Sequence, residues 1–375
     1  MRLLVWQWGR YGTGARYAYE MARSLCEHCG HETLLSLAET AELMQFPAVR
    51  QSVDFPLRTY SNTREFIRQS FGIRRVLSPI VERLRSAPPD AAIVPMLGYW
   101  DILLVRYLQR LRVPVAVVIH DAQVHPGDRF HLVVQLQWRL MRTCEGVITL
   151  TDSVAQQIRR RISLERKVHA TIPHVAFDFA ELDLPPAKPI EGAESRPLRL
   201  LMAGRLKRYK GLEHLAEALK QVGDTPLHVR VVGAVQNQRD IASLAAFSGI
   251  EFDIGWKSDQ ELIAHLDWAD AAVLPYIEAS QSGIIPVSFQ RARPVIATAV
   301  GGLPEQVLDG QTGLLTEAAS PQSLANAIRR FAGDRTLLRR CSQNALKHAK
   351  NDLSWKAIAP RFAEALEKIA RHGRS

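Results

Sequence analysis

Short apolar runs alternate with amphipathic helical stretches along nearly the whole 375-residue chain. This alternation admits few folds. Continuous apolar runs read as strands buried on both faces. Such strands are parallel and are joined by crossover helices. In the first half, strands are predicted at Leu3–Trp8, Ala91–Leu97, Val113–His120, Gly146–Leu150 and Val168–Ile172. Helical periodicity covers Ala15–Cys26, Asp101–Leu111, Phe130–Met141 and Ser153–Ile162, while residues 40–60 carry no clear pattern. A second series follows: strands at Leu198–Ala203, His228–Val232, Ile250–Ile254, Ala271–Leu274 and Val295–Thr298. Its helices are expected at Gly211–Leu219, Arg239–Phe247, Asp259–Trp268 and Ser320–Ala332, with a tail helix over Ser354–Ala370.

The two series are separated by residues 179–197, where Pro185, Pro186, Pro189, Gly192 and Pro197 mark a linker. The expected organisation is α/β: two doubly wound, Rossmann-like domains facing a cleft. The first spans 1–178 and the second 198–353, with 354–375 packing back on the first. Ligands of such sheets bind outside the carboxyl ends of the strands, so chemistry belongs on the strand-to-helix turns.

No apolar run reaches the ~18 residues that a membrane span needs. The chain starts on Arg2-Leu3-Leu4 without a charged-then-apolar leader, and a cytoplasmic location is the expectation. Cys26, His28, Cys29 and His31 cluster, but no second ligand pair exists elsewhere, so isolated thiols and no metal are expected. The net charge of +10 owes much to arginines of the first half, among them Arg64, Arg68, Arg74 and Arg75. Such a face suits a nucleotide, a lipid phosphate or an anionic membrane surface, and it is equally compatible with simple solvation. The arginines are not interleaved with aromatics in the manner of nucleic-acid binders, so no nucleic-acid partner is expected.

Five turns carry polar constellations. Gly9-Arg10-Tyr11-Gly12-Thr13-Gly14 follows the first strand; Gly12 and Gly14 would admit a ligand phosphate or an acceptor, or form a plain tight turn. The spacing differs from the dinucleotide fingerprint, although Glu39 lies near the position of its acidic residue. His120-Asp121 ends a buried strand, where His120 could hydrogen-bond a sugar hydroxyl or a phosphate, or be satisfied by backbone. Gly204-Arg205-Leu206-Lys207-Arg208-Tyr209-Lys210-Gly211 places Arg205 at a strand end and Lys210 at a helix start. A guanidinium and an ammonium so placed can neutralise a diphosphate, and Lys207 and Arg208 are expected to face water. Gly233 closes the next strand. The run Pro275-Tyr276-Ile277-Glu278-Ala279-Ser280-Gln281-Ser282-Gly283-Ile284 sets one carboxylate before a helix start able to offer N–H groups at Ser282, Gly283 and Ile284. Glu305, in Gly301-Gly302-Leu303-Pro304-Glu305, reads as a ligand contact or as the cap of its own short helix.

As an ordered set, these motifs resemble the retaining glycosyltransferases of family 4, which have the GT-B fold. The likeness is strongest from Leu198 to Leu315, through G-R-L-x-x-x-K-G, P-V-I-A-T, G-G-L-P-E and Gly310-Gln311-Thr312-Gly313. Leu150-Thr151-Asp152-Ser153, Ile172-Pro173-His174 and Ser354-Trp355 add further landmarks. The resemblance implies that Arg205 and Lys210 grip the diphosphate of a nucleotide-sugar donor and that Glu278 faces the sugar. It implies that His120 contacts the sugar and that Gly12, Gly14, Gly204, Gly233, Ser282, Gly283, Ile284 and Glu305 line the donor site. Glu278 matches the first glutamate of the family's E-x7-E, but Pro286 stands where the second belongs, as in a family subset with the turn S-Q-S-G-I-I-P. No D-x-D motif exists, and neither a metal nor another cofactor is expected. The expected reaction is sugar transfer to an acceptor hydroxyl with retention, in cell-envelope or exopolysaccharide synthesis. The acceptor glycan could be carried on polyprenyl diphosphate, with the enzyme peripheral at the inner membrane face. A nucleotide-sugar epimerase of the same shape, an NAD oxidoreductase and a non-catalytic nucleotide-sugar binder are the rivals.

Overall fold

The computed structural model describes residues 1–60, 62–123, 131–192, 195–235, 241–244, 247 and 249–373. Two parallel sheets organise them. The first has seven strands: β1 (Arg2–Gln7), β2 (Glu32–Ala38), β3 (Phe55–Leu57), β4 (Ala91–Val94), β5 (Val115–Ile119), β6 (Gly146–Thr149) and β7 (Val168–Thr171), in spatial order β3-β2-β1-β4-β5-β6-β7. The second has six: β8 (Leu198–Ala203), β9 (Leu227–Gly233), β10 (Ile250–Ile254), β11 (Ala271–Leu274), β12 (Val295–Thr298) and β13 (Gly313–Thr316), in order β10-β9-β8-β11-β12-β13. Each sheet reverses its winding once, between β1 and β4 and between β8 and β11. A crevice forms at such a reversal, outside the strand ends.

The apolar runs become strands because both faces are covered. Leu3, Leu4, Val5 and Trp6 of β1 are fully buried, as are Val115, Ala116 and Val117 of β5. Helix Thr13–Cys29 packs against β1 and β2 and against the tail helix Trp355–His372. Trp355 donates its indole N–H to the buried Glu20 at 2.6 Å, fastening the tail to the first sheet's layer. Residues 179–192 and 195–197 carry no helix or strand.

Three strands lie outside the sequence expectation: β2, β3 and the four-residue β13 that pairs with β12. In β2 the buried Ser36 splits an apolar run. Its hydroxyl accepts from Trp8 Nε1 at 3.0 Å and donates to the Phe55 carbonyl at 2.8 Å, which permits the burial. β3 is three residues long and contains Pro56, tolerated because β3 is a sheet edge. Helix Thr63–Phe71 buries none of its residues fully and faces the core only through half-buried side chains such as Phe66, which stacks on Trp100. Of the helix expected over Arg239–Phe247, residues 239, 240, 245 and 246 lie outside the described residues, and 241–244 and 247 carry no α-helix.

Contacts between the sheets' carboxyl ends join the two halves. Arg16 pairs with Asp259 at 2.9 Å, and Trp256 donates to Glu42 at 2.6 Å. Thr151 donates to the Ser280 carbonyl at 3.1 Å. Within the second half, helix Asp259–Trp268 is started by a reciprocal cap in which Ser258 and Glu261 satisfy each other's backbone N–H groups.

Candidate active site

The turns after β8 and β11 meet at the reversal of the second sheet. Gly211 holds φ +71°, and a Cβ there would lie 1.8 Å from the Pro275 carbonyl oxygen, so only glycine lets the turns approach this closely. The backbone N–H of Ile277 donates to the Tyr209 carbonyl at 2.8 Å. This contact sets Lys210 beneath the β11 turn. Lys210 is only 8% exposed, and its ammonium donates to the Tyr276 hydroxyl at 2.6 Å. Tyr276 Oη lies 3.5 Å from Ser282 Oγ, so an unbroken polar chain links the cation to the turn that follows Glu278.

Arg205 and Glu278 are exposed on the same two turns. Both act on the Tyr209 hydroxyl. Burial pushes that phenol far up and Tyr276 adds to the rise; Arg205 opposes it, and Asp121 and Glu278 reinforce it. Asp121 follows β5 in the first half, so charges from both halves converge there. Lys207, expected in water, is instead 8% exposed. Burial, then the neighbouring Lys210 charge, pull its ammonium below the usual lysine value. Arg208 is exposed, as its place in the turn suggests.

His120 is half-buried and places Nε2 2.8 Å from the Pro95 carbonyl. A carbonyl only accepts, so Nε2 carries the proton and Nδ1 keeps its lone pair. Burial lowers the imidazole pKa, which keeps this neutral tautomer. His174, 4% exposed, donates Nδ1–H to the Val175 carbonyl at 2.8 Å. Burial, with His120 second, pushes it down to about 4. Its Nε2 lies 3.5 Å from where a Gly283 Cβ would stand, which brings first-half chemistry against the β11 turn.

Several of the expected site residues have packing or hydrogen-bonding roles of their own in the fold. Gly233 stands where a Cβ would lie 2.0 Å from the Gly204 carbonyl oxygen, so it permits the β8 and β9 turns to pack. Gly14 packs on Gln7 in the same manner. Gly12, at φ +82°, precedes helix Thr13–Cys29, with Trp256 of the second half 3.8 Å from its would-be Cβ. The Ser282 N–H is taken by the side chain of Gln306 at 2.7 Å. Glu305 does not cap its own helix. Its two carboxylate oxygens accept the backbone N–H groups of Asp152 at 2.6 Å and Ser153 at 2.8 Å. Tyr276, Tyr209 and Gln306 are the site members that the motif reading did not single out; the aromatic directly after β11 was the available signal. A cavity of about 220 Å³ lies beside this junction, lined by Thr151, His174, Pro286, Glu305 and Arg361 and by none of Arg205, Lys210 and Glu278. Among the described residues, no group of three or more His, Cys, Asp or Glu is placed to hold a metal.

Two doubly wound parallel sheets, the second with cationic and carboxylate side chains at its reversal, are the architecture of a GT-B protein. Comparison with known proteins identifies which kind. Residues 12–174 match the glycosyl transferase 4-like domain, and residues 197–334 match the glycosyl transferases group 1 domain. The chain is a glycosyltransferase built from these two domains, and its reaction is glycosyl transfer from a nucleotide sugar. It is 28% identical over 326 residues to the D-inositol 3-phosphate glycosyltransferase of Streptomyces avermitilis, covering 74% of this chain and 68% of that protein. It is 28% identical over 274 residues to the alpha-D-kanosaminyltransferase of Streptomyces kanamyceticus, covering 65% of this chain and 68% of that one. Its fold is shared with Anabaena HepE, solved in complex with UDP and glucose: TM-score 0.74 at 16% identity, covering 98% of this chain and 100% of that chain. A glycosyltransferase from Rickettsia africae superposes with a TM-score of 0.72 at 19% identity, covering 98% of each chain.

Proposed function

We propose that the protein moves a sugar from a nucleoside diphosphate to an acceptor hydroxyl with retention, without a metal, using Lys210 and Arg205 as the diphosphate clamp. The observation that carries this reading is the buried Lys210 ammonium on Tyr276, at the sheet reversal, with Arg205 and Glu278 on the same two turns. As the anomeric C–O bond breaks, negative charge grows on the leaving diphosphate. Cations already in place stabilise that charge without reorganising. Glu278 faces the developing positive charge on the sugar ring. The acceptor attacks from the face the diphosphate leaves, and its proton passes to the departing phosphate oxygen. His120 offers Nδ1 as an acceptor for a sugar hydroxyl. Pro286, in place of the family's second glutamate, leaves the ribose to be held by other groups.

The relatives' names include D-inositol 3-phosphate and colanic acid biosynthesis, which supports a polyol or glycan acceptor in bacterial envelope or exopolysaccharide synthesis. A lipid-carried acceptor, such as one on polyprenyl diphosphate, is supported by helix Thr63–Phe71. Phe71 is 90% exposed and Ile67 53% exposed, beside exposed Arg64, Arg68, Arg74 and Arg75. Apolar side chains flanked by arginines suit the interface of an anionic membrane. No described helix is long and apolar enough to cross a membrane.

The testing experiment is a panel of UDP-, GDP-, ADP- and dTDP-sugars with the full-length protein, with and without EDTA. The product anomer is read by proton NMR. Retained configuration and EDTA-insensitive turnover are expected; inversion or loss of activity with chelator overturns the corresponding part.

A further inference from the structure

The short helix Leu303–Gln306 carries two adjacent side chains that point to different halves of the protein. Glu305 reaches the first half. Its carboxylate accepts both leading N–H groups of helix Asp152–Arg159, which have no partner inside that helix. A carboxylate is favoured there by the helix dipole as well as by the two hydrogen bonds. Gln306 reaches the donor turn. It accepts the Ser282 N–H at 2.7 Å and donates to the Ser282 carbonyl at 3.2 Å, clamping one residue from both sides.

The surrounding contacts close the loop. Thr151, the N-cap of helix Asp152–Arg159, also donates its hydroxyl to the Ser280 carbonyl, two residues before Ser282. A Cβ at Gly302 would lie 2.6 Å from Thr151 Cγ2, so the short helix sits flush on the first half. Segment 280–282, reached also by the Lys210–Tyr276 chain, is thus tied to the first half by two routes: directly through Thr151, and through the Glu305–Gln306 pair.

We propose that Glu305 and Gln306 are positioning residues that fix the turn bearing Glu278 and Ser282 relative to the first half, so that donor and acceptor groups stay in register. This rests on the proposed site at Lys210 and Glu278. Glu305 touches no reacting atom. It works through the Asp152 and Ser153 amides on one side and, through its neighbour Gln306, on the turn at the other. A displacement of the order of an ångström between reacting groups costs roughly a hundredfold in rate, so such a tie is kinetically visible.

The test uses the full chain and two readouts. Hydrogen–deuterium exchange is followed for peptides covering 151–156 and 278–285 in the wild type, Glu305→Ala, Glu305→Gln and Gln306→Ala. Coupling predicts that Glu305→Ala accelerates exchange in both peptides, although it bonds only to the first, and that Glu305→Gln, keeping one acceptor oxygen, restores part of the protection. Acceleration confined to 151–156 overturns the proposal and leaves Glu305 a local cap. In the kinetic arm, with UDP-glucose as the donor probe, kcat should fall about tenfold or more in Glu305→Ala while donor KM changes less than threefold. A loss confined to donor KM also overturns the proposal. If the wild type fails to bind UDP-glucose and the other nucleotide sugars, the nucleotide-sugar reading fails instead, and the exchange arm still decides the coupling.

Discussion

Replacing Lys210 by methionine removes the charge while keeping most of the side-chain volume, and the structure sets opposite expectations for stability and for catalysis. The variant loses the 2.6 Å charge-assisted hydrogen bond to Tyr276. Such a bond contributes about 1.5–3 kcal/mol. Against that, a mostly buried ammonium no longer has to be desolvated, and Lys207 is relieved of the Lys210 charge that depresses its own protonation. Tyr276 keeps the Ser282 hydroxyl at 3.5 Å as a weak partner. The two effects offset, so the melting temperature should move by no more than about 4 °C. Turnover has no such compensation. Losing one preorganised group aimed at developing charge costs about 10²–10³ in kcat, or roughly 3–4 kcal/mol of transition-state stabilisation. The assay pairs a thermal melt with steady-state release of free nucleotide. A Lys210→Met protein that melts like the wild type and turns over within threefold of it would refute the clamp.

Three further outcomes follow from the geometry. Gly211→Ala should destabilise by more than about 2 kcal/mol in urea unfolding, since its Cβ would enter the Pro275 carbonyl at 1.8 Å from a left-handed backbone; an unchanged midpoint would mean the turns can part freely. His174, pushed down to about 4, stays neutral in the fold while the unfolded chain protonates near pH 6.5. Stability should therefore be at full value above about pH 7 and fall by up to about 3 kcal/mol as pH drops from 6.5 to 4. His120 acts in the same direction, and His174→Asn should flatten the profile, measured as urea midpoints against pH. Phe71→Asp combined with Arg68→Glu should abolish salt-sensitive sedimentation with anionic liposomes while leaving turnover on a water-soluble acceptor intact; equal sedimentation would exclude helix Thr63–Phe71 as the contact.

Three strands of the second half were legible from their pattern: Ala271–Leu274 and Val295–Thr298 as short apolar runs and Ile250–Ile254 as an apolar–acidic alternation, whereas β13 was not. β2 was not, because Ser36 breaks the run and becomes acceptable only through Trp8 and Phe55, residues brought together by the fold. The same distinction governs the site. Arg205, Lys210 and Glu278 could be singled out because each sits on a turn after a readable strand. Lys207 could not be placed, since one turn of 3-10 helix over Arg208–Lys210 decides which side chains go under the β11 turn. The partners of Glu305 lie more than 150 positions away in the chain, and no local pattern predicts a carboxylate that caps a helix of the opposite half.

The most direct test of the account is a crystal structure of the protein with UDP bound. The β-phosphate is expected within hydrogen-bonding distance of Lys210 Nζ and the Arg205 guanidinium, in the crevice between the turns after β8 and β11. A diphosphate lying instead on the Gly9–Gly14 turn of the first sheet, with Lys210 still closed on Tyr276, would contradict it.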